Sequence, residues 1–200
     1  HSEHAQLAVD ALLIASGRQP ATASLHPENA GIAVNERGAI VVDKRLHTTA
    51  DNIWAMGDVT GGLQFTYISL DDYRIVRDEL LGEGKRSTDD RKNVPYSVFM
   101  TPPLSRVGMT EEQARESGAD IQVVTLPVAA IPRARVMNDT RGVLKAIVDN
   151  KTQRMLGASL LCVDSHEMIN IVKMVMDAGL PYSILRDQIF THPSMSESLN

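Results

Sequence analysis

A histidine and a glutamate near the end of the sequence are the residues best suited to acid–base chemistry. The chain ends in T-H-P-S-M-S-E-S-L-N, where His192 precedes Pro193 and Glu197 follows. Proline restricts the residue before it to an extended backbone, so the imidazole would be held in one direction. A carboxylate that reaches back to one ring nitrogen would raise the basicity of the imidazole and leave the other nitrogen for proton transfer. The spacing predicts an acid–base histidine with its orienting carboxylate, but the nucleophile or redox group on which it would act is not visible in these residues. A buried structural histidine is the alternative.

A second candidate site follows an apolar segment in the first half of the chain. Residues 53–56 (I-W-A-M) predict a buried strand that ends at Gly57-Asp58, and α/β proteins bind ligands beside the carboxyl ends of such strands. The glycine would let a ligand approach the backbone closely, and Asp58 could accept hydrogen bonds from ligand hydroxyls. A predicted helix at about 65–81 would direct its first N–H groups toward an electron-rich group. Taken alone, Gly-Asp also marks an ordinary turn.

The elements that must position these residues fall into two parts. The first part has predicted strands at 10–15, 39–42 and 53–56 and the helix at 65–81. The charged, glycine-bearing segment 82–93 is predicted to be a linker. The second part alternates between short strands and helices. Its predicted strands lie at 94–100, around Val107, and at 121–128, 142–149 and 156–163, the last two forming an antiparallel hairpin, and its predicted helices lie at 110–117, from Asp164 or Ser165 to Gly179, and at 184–188.

Composition excludes several classes of protein. The net charge is −5 and no long basic block is present, so sequence-independent binding to nucleic acid or to an anionic membrane is not expected. No apolar run reaches the roughly 18 residues of a membrane span. A single cysteine excludes an intrachain disulfide framework and indicates a reducing cytoplasm. Because the chain enters a predicted strand almost at once and without an initiating Met, we expect it to be part of a longer protein.

Other chemically suggestive residues have simpler explanations. Met168, Met174 and Met176 share one predicted helix, and core or interface packing is favoured over a soft-metal site, with Met168 on the inner face. Cys162 has no partner thiol and is predicted to be buried and inert. The sequence Ser165-His166-Glu167 is predicted to cap a helix, because one His-Glu pair offers too few metal ligands. The basic cluster Arg133, Arg135 and Arg141 is predicted to lie in a solvated loop. We therefore predict no metal site.

Four segments, in this order, carry a resemblance to a known family. They are residues 10–20 (D-A-L-L-I-A-S-G-R-Q-P), residues 48–58 (T-T-A-D-N-I-W-A-M-G-D), residues 94–114 (V-P-Y-S-V-F-M-T-P-P-L-S-R-V-G-M-T-E-E-Q-A) and residues 192–197 (H-P-S-M-S-E). Together they resemble the carboxyl-terminal part of the pyridine nucleotide–disulfide oxidoreductases, the flavoenzyme family of glutathione reductase, dihydrolipoamide dehydrogenase and mercuric reductase. The segment Gln64-Phe65-Thr66-Tyr67 resembles the mercuric-reductase branch more than the dihydrolipoamide branch.

The resemblance implies a fold class of α/β plus α+β. Residues 1–22 would end a Rossmann-like NAD(P)H domain, residues 23–92 would complete the FAD domain and the linker, and residues 93–200 would form an α+β dimerisation domain with an antiparallel sheet and helices. The implied partner is a second copy of the chain.

The resemblance also implies the cofactors and the roles of the site residues. FAD would be the cofactor and NAD(P)H the co-substrate. Asp58 would bind the ribitol hydroxyls of FAD, with Gly57 allowing the approach. Phe65, Thr66 and Tyr67 would place backbone N–H groups at the pyrimidine edge of the flavin. His192 would be an acid–base catalyst that acts on the redox disulfide of the other subunit, and Glu197 would orient it.

Two functional classes remain open at this point. The redox cysteine pair and both glycine-rich nucleotide motifs of the family are absent from these residues. The parent would be an oxidoreductase in oxidative-stress defence whose acceptor is a disulfide, a metal ion such as copper(II), or a quinone. The missing carboxyl-terminal cysteine pair of mercuric reductases argues against Hg(II). The alternative is a non-catalytic dimerisation module, inactive as an isolated fragment.

Overall fold

A computed structural model describes residues 7–200 of the chain. The first six residues of the predicted segment 1–22 lie outside the described residues. The chain divides into two compact units, the first ending at Asp90 and the second beginning at Arg91, and each is described by itself.

The first unit is built around one long helix, α1 (Thr66–Leu81), as the sequence predicts. Within residues 7–90, four short 3-10 turns accompany it, at Ala23–Leu25, Pro27–Ala30, Gly57–Thr60 and Thr88–Asp90. Within residues 7–90, the predicted strands 39–42 and 53–56 are only isolated bridges, Val34 to Ile40 and His47 to Trp54. Positive φ angles at Leu46 and Asn52 turn the chain on either side of His47, so its pairing with Trp54 ends after one residue.

The predicted buried strand at residues 10–15 is wrong for this structure. Leu12, Leu13 and Ile14 are 80%, 89% and 77% exposed, and the segment has no regular secondary structure. Within residues 7–200, no backbone hydrogen bond joins this segment to another. A strand needs a neighbour for its N–H and C=O groups, so the apolar run alone does not make one.

The segment predicted as a linker is in large part fixed to the first unit. The carboxylate of Asp78 in α1 accepts the N–H groups of Lys85 and Arg86 at 2.7 and 2.9 Å. Further along, the N–H of Thr88 donates to the carbonyl of Lys44 at 2.9 Å. These bonds fix the charged segment to the first unit as far as Thr88. The linker prediction missed them because composition alone does not report such partners.

The second unit is a five-stranded antiparallel sheet with helices, which agrees with the predicted α+β class. The spatial order of the strands is β1-β2-β5-β4-β3. The strands are β1 (Tyr96–Val98), β2 (Leu104–Gly108), β3 (Ile121–Pro127), β4 (Val143–Asp149) and β5 (Met155–Leu161). The helices are α2 (Glu111–Glu116), α3 (Pro132–Val136), α4 (Ser165–Asp177) and α5 (Ser183–Arg186), and a 3-10 turn follows at Ser196–Leu199.

Local signals explain two of these elements. Helix α2 begins with the predicted capping box, in which Thr110 and Gln113 exchange side-chain and backbone hydrogen bonds. The β4–β5 hairpin turns where the carboxylate of Asp149 accepts the N–H groups of Lys151 and Thr152 at 2.9 and 2.6 Å. These bonds, with that from Thr152 the most important, hold the pKa of Asp149 below its usual range.

Helix α4 covers the sheet with one apolar face, and its residues Met168, Ile169, Val172 and Val175 are buried. Met168 is buried and Met174 is 71% exposed, in accord with core packing for the former. Cys162 is also fully buried, as predicted, and burial raises the pKa of its thiol to about 12.

Two predictions for this unit are wrong. The predicted side-chain cap at Ser165-His166-Glu167 is absent: the N-cap position of α4 is Asp164, and its side chain makes no capping hydrogen bond. Instead, the buried hydroxyl of Ser165 bonds Ser105 Oγ and donates to the carbonyl of Pro103, both at 2.9 Å. The predicted loop at the basic cluster contains α3, which begins with Pro132 in its first turn, a position that suits proline because no helical N–H is lost there.

Candidate functional site

The terminal histidine and glutamate meet as the sequence spacing predicts. His192 Nδ1 lies 2.7 Å from Glu197 Oε2. An ionised carboxylate can only accept, so Nδ1 carries the hydrogen in this pair and Nε2 is left as a proton acceptor. The side chain of His192 is 70% exposed, whereas that of Glu197 is 17% exposed. The arrangement therefore presents an oriented imidazole outward and keeps its orienting carboxylate inside, which does not fit the alternative of a buried structural histidine.

A buried methionine anchors the segment between these two residues. Met195 is 3% exposed and belongs to the core cluster of the second unit, which also contains Cys162 and Val172. Around it, Ser194 Oγ donates to the carbonyl of Thr191 at 2.7 Å and the N–H of Ser198 donates to that of Met195 at 3.2 Å. The tail is thus a short folded turn whose position depends on the core.

The side chain of Glu197 is more buried than its hydrogen bond to His192 requires. Its second oxygen, Oε1, is buried and has no hydrogen-bond partner within residues 7–200. A buried carboxylate oxygen without a donor is costly, and a neighbouring N–H or the doubly protonated imidazole reduces that cost. The other oxygen, Oε2, stays on His192 Nδ1, so the carboxylate can orient the imidazole.

The Gly57-Asp58 turn is built against helix α1. Gly57 has a φ of +78°, a conformation that side chains rarely adopt, and a Cβ there would stand 2.9 Å from Ser69 Oγ. The N–H of Gly57 donates to Asp72 Oδ2 at 2.6 Å. After the turn, the N–H of Gly61 donates to the carbonyl of Asp58 at 3.1 Å. The conformation favours glycine here, and a larger residue would displace the Ser69 hydroxyl.

The carboxylate of Asp58 faces outward from this turn. Its side chain is 51% exposed, and Oδ2 lies 3.5 Å from Arg18 Nη1. Its remaining acceptor positions suit ligand hydroxyls. Helix α1 begins at Thr66, and the rings of Phe65 and Tyr67 on either side stack with centroids 5.1 Å apart. Burial raises the pKa of the Tyr67 hydroxyl.

The sequence-predicted residues thus form two groups. The structure joins His192 to Glu197 in the second unit, and it places Gly57 and Asp58 in one turn of the first unit, before the start of α1. A half-exposed carboxylate beside a glycine with positive φ fits a polyhydroxylated cofactor such as FAD. Within residues 7–200, no group of three or more His, Cys, Asp or Glu side chains could hold a metal ion. None of the helices in that range is long and apolar enough for a bilayer crossing.

Comparison with known proteins decides the family. Residues 94–200 match the family described as "Pyridine nucleotide-disulphide oxidoreductase, dimerisation domain", and residues 1–72 match "Pyridine nucleotide-disulphide oxidoreductase". The chain belongs to the pyridine nucleotide–disulfide oxidoreductases. This family uses FAD and NAD(P)H, so the expected cofactors and fold class are confirmed at the level of the family.

Individual proteins that are similar to this chain agree with the family assignment. The mercuric reductases of Staphylococcus aureus, Bacillus cereus and Streptomyces lividans are each 36% identical to it, over 95%, 94% and 97% of this chain and 35%, 30% and 41% of their own lengths. The crystal structure of LpdA from Mycobacterium tuberculosis superposes with a TM-score of 0.82 at 25% identity, covering 90% of this chain and 39% of that one. The chain spans about a third of the length of the curated relatives.

Sequence reasoning missed two residues that position the site. Asp72 bonds the glycine turn, and Met195 anchors the terminal turn. A signal for Asp72 was present, since an aspartate stands in the apolar stripe of a helix, between Ile68 and Ile75. Met195 carried no such signal, because a lone methionine between serines fits many exposed turns equally well.

Proposed function

We propose that the chain is the carboxyl-terminal part of an FAD-dependent NAD(P)H oxidoreductase in which His192 is the acid–base catalyst and Glu197 orients it. The observation that carries this proposal is the 2.7 Å bond between His192 Nδ1 and Glu197 Oε2, with the imidazole exposed and the carboxylate inside. A histidine held only for structure has no need to face solvent.

The residues of the first unit support FAD as the cofactor. Asp58 would accept hydrogen bonds from the ribitol hydroxyls, and Gly57, with φ +78°, lets the cofactor approach the backbone. Phe65, Thr66 and Tyr67 would contact the pyrimidine edge of the flavin through the start of α1, where helix N–H groups attract electron-rich atoms.

The histidine would move one proton. Bound FAD supplies the two-electron chemistry between NAD(P)H and a redox-active cysteine pair, which these 200 residues do not contain. His192 Nε2 would accept the proton of a thiol and so hold the thiolate, while Glu197 balances the imidazolium charge. When the thiolate needs its proton back, the same nitrogen would donate it.

The acceptor and the assembly are finer parts of the proposal. The mercuric reductases among the relatives favour a metal-ion acceptor over a disulfide. Copper(II) is our candidate, in oxidative-stress defence in the cytoplasm.

The proposed domains are residues 1–22, which would end the NAD(P)H domain, residues 23–92, which would complete the FAD domain, and residues 93–200, which would form a homodimer. The match to a dimerisation-domain family and the exposure of Phe99 (79%) support the homodimer.

The test is a turnover assay on the full-length protein. We expect a yellow preparation that oxidises NADPH or NADH when copper(II) is the acceptor. A disulfide and mercuric ion are assayed in parallel. A colourless protein that takes up no FAD would refute the proposal. Turnover with a disulfide but with neither metal ion would retain the enzyme and remove the metal-ion acceptor.

A second candidate is a non-catalytic dimerisation module, favoured by the match of residues 94–200 to a dimerisation domain. It applies to the isolated 200 residues and predicts a folded dimer without turnover when FAD and NADPH are added. Turnover by this fragment would contradict it, and a monomer at micromolar concentration in sedimentation would contradict dimerisation through these residues.

A further inference from the structure

One carboxylate in the first unit is buried where an apolar side chain would be expected. Asp72 is 2% exposed, and it is the only charged residue among the buried side chains of residues 7–200. It lies on the inner stripe of α1, with buried Ile68 one helical turn before it and buried Ile75 one turn after it. Burying a carboxylate is costly unless hydrogen bonds compensate it. An aspartate in this stripe therefore needs a reason other than packing.

The bond made by Asp72 supplies that reason. Its Oδ2 accepts the N–H of Gly57 at 2.6 Å, a short distance typical of a bond to a charged acceptor. Ser69 stands one turn earlier on the same helix, with its Oγ 2.9 Å from where a Cβ of Gly57 would be. The helix thus holds residue 57 by a hydrogen bond and packs closely against it, and the φ of +78° favours glycine at this position.

The residue held in this way immediately precedes Asp58. The peptide that joins Gly57 to Asp58 is part of the 3-10 turn Gly57–Thr60, so a shift of the Gly57 backbone would redirect the Asp58 carboxylate. Asp58 has no comparable anchor in its own side chain, because its ion pair with Arg18 is long, at 3.5 Å, and largely exposed. The direction of the Asp58 carboxylate therefore depends on the backbone of the turn.

We infer that Asp72 is a positioning residue, which accepts the Gly57 N–H and thereby holds the Gly57-Asp58 turn in the geometry that binds the ribitol hydroxyls of FAD. This inference rests on the proposed function, because it takes Asp58 to be the FAD ligand. Asp72 itself does not contact the cofactor in this account. It acts through Gly57.

The experiment compares variants of the full-length protein, each stripped of FAD and titrated with FAD while the flavin fluorescence is followed. Asp72→Ala removes the acceptor, and Asp72→Asn keeps an oxygen of the same size in the same place. Ile75→Val is the matched control, since it loosens the same buried stripe and leaves the Gly57 N–H with its acceptor. Melting temperatures and the visible circular dichroism of the bound flavin are recorded for each.

We expect the FAD dissociation constant of Asp72→Ala to rise about 10-fold to 100-fold, as the loss of one buried acceptor would cause. Asp72→Asn should stay within about threefold of the wild type, because a neutral acceptor still bonds the N–H. The flavin circular dichroism should change in Asp72→Ala and not in Ile75→Val. If Asp72→Ala does not fold, Asp72→Leu takes its place, because leucine suits the apolar stripe of α1 and also removes the acceptor, so the same rise in the FAD dissociation constant is expected.

Other results would overturn the inference. An Asp72→Ala variant with a lowered melting temperature and an unchanged FAD affinity would show that Asp72 serves stability only. An Asn variant that loses as much affinity as the Ala variant would exclude the acceptor role. Wild-type protein that fails to bind FAD would refute the proposed function as well, whereas normal wild-type binding with an unaffected Asp72→Ala refutes this inference alone.

Discussion

The two candidate site carboxylates of the chain, Asp58 and Glu197, are held in opposite ways. Asp58 is half exposed, at 51%, and its turn is fixed from behind by the bond from Gly57 N–H to Asp72. Glu197 is 17% exposed and bonds a histidine of its own segment at 2.7 Å. The first carboxylate is open to solvent, and the second bonds the imidazole. This difference in exposure matches the roles that we propose for them, binding for Asp58 and orienting for Glu197.

The anchors of the two segments differ as well. A hydrogen bond to a buried carboxylate fixes the Gly57-Asp58 turn, which gives it a direction. The terminal turn is fixed by the apolar side chain of Met195, which sits in the core of the second unit. Apolar burial is not directional, so the bond between His192 and Glu197 must supply the orientation. Substitutions in the two segments should therefore have different effects on binding and on rate.

The largest effect is expected for His192→Gln. Glutamine keeps much of the volume and some hydrogen bonding but cannot transfer the proton, so turnover in the full-length protein should fall about 10²-fold to 10⁴-fold. FAD content should not change, because His192 is not a residue of the Gly57-Asp58 turn. Stopped-flow and steady-state rates per bound flavin measure this effect. A variant with a lower melting temperature and a normal rate would show that the histidine only holds the tail.

Met195→Ala should be next, and it should act on stability and rate together. Removal of a buried methionine side chain costs about 2–5 kcal/mol of unfolding free energy, and the terminal turn would lose its anchor in the core. Met174→Ala is the matched control, because that methionine is 71% exposed and its loss should cost less than about 0.5 kcal/mol. Denaturant unfolding measures the stability loss of each variant, and turnover per bound flavin measures the rate. Equal costs for the two substitutions would contradict the buried anchor.

Asp58→Ala should weaken FAD binding and leave the chemistry of the bound fraction nearly unchanged. Hydrogen bonds to a charged acceptor contribute about 1.5–3 kcal/mol each, so the FAD dissociation constant should rise about 10-fold to 100-fold. Asp51→Ala, at an exposed carboxylate of the same unit, is the control and should bind FAD normally. Unchanged affinity in Asp58→Ala would remove this residue from the cofactor site.

Glu197→Gln should have the smallest effect. The amide oxygen can still accept the Nδ1 hydrogen, but the bond loses its charge, and a loss of about 1.4 kcal/mol corresponds to a rate about 10-fold lower. The rate loss should be clearly smaller than that of His192→Gln. A loss as large as that of the histidine variant would mean that Glu197 does more than orient the imidazole.

The sequence predicted the second unit better than the first. The β4–β5 hairpin, the capping box at Thr110 and the inner face of α4 all follow from local patterns, and the structure contains each of them. Strands β4 and β5 are joined by a short turn, so turn residues such as Asp149 already indicate their antiparallel pairing. The apolar run at residues 10–15 lacked this information, because strand formation depends on a neighbour that the run itself does not reveal.

In the candidate site, too, contacts between residues close in sequence could be predicted, and contacts that depend on packing could not. The bond between His192 and Glu197 could be predicted because the two residues are close in sequence. The contact between Gly57 and Asp72 could not, because it joins a turn to the second turn of a helix and depends on how α1 packs. The buried anchor at Met195 was missed for the same reason, since burial is a property of the packed core and not of the tail.

The proposal that Asp58 binds FAD while Glu197 orients the catalytic His192 is tested most directly by one paired measurement on the full-length protein. FAD bound per subunit and NAD(P)H oxidised per bound flavin are determined side by side for Asp58→Ala and His192→Gln. The account predicts that Asp58→Ala loses FAD and keeps a near-normal rate per bound flavin, whereas His192→Gln keeps FAD and loses at least about 10²-fold in rate. If both variants lose FAD equally and keep the same rate per flavin, the distinction between a binding and an orienting carboxylate is wrong.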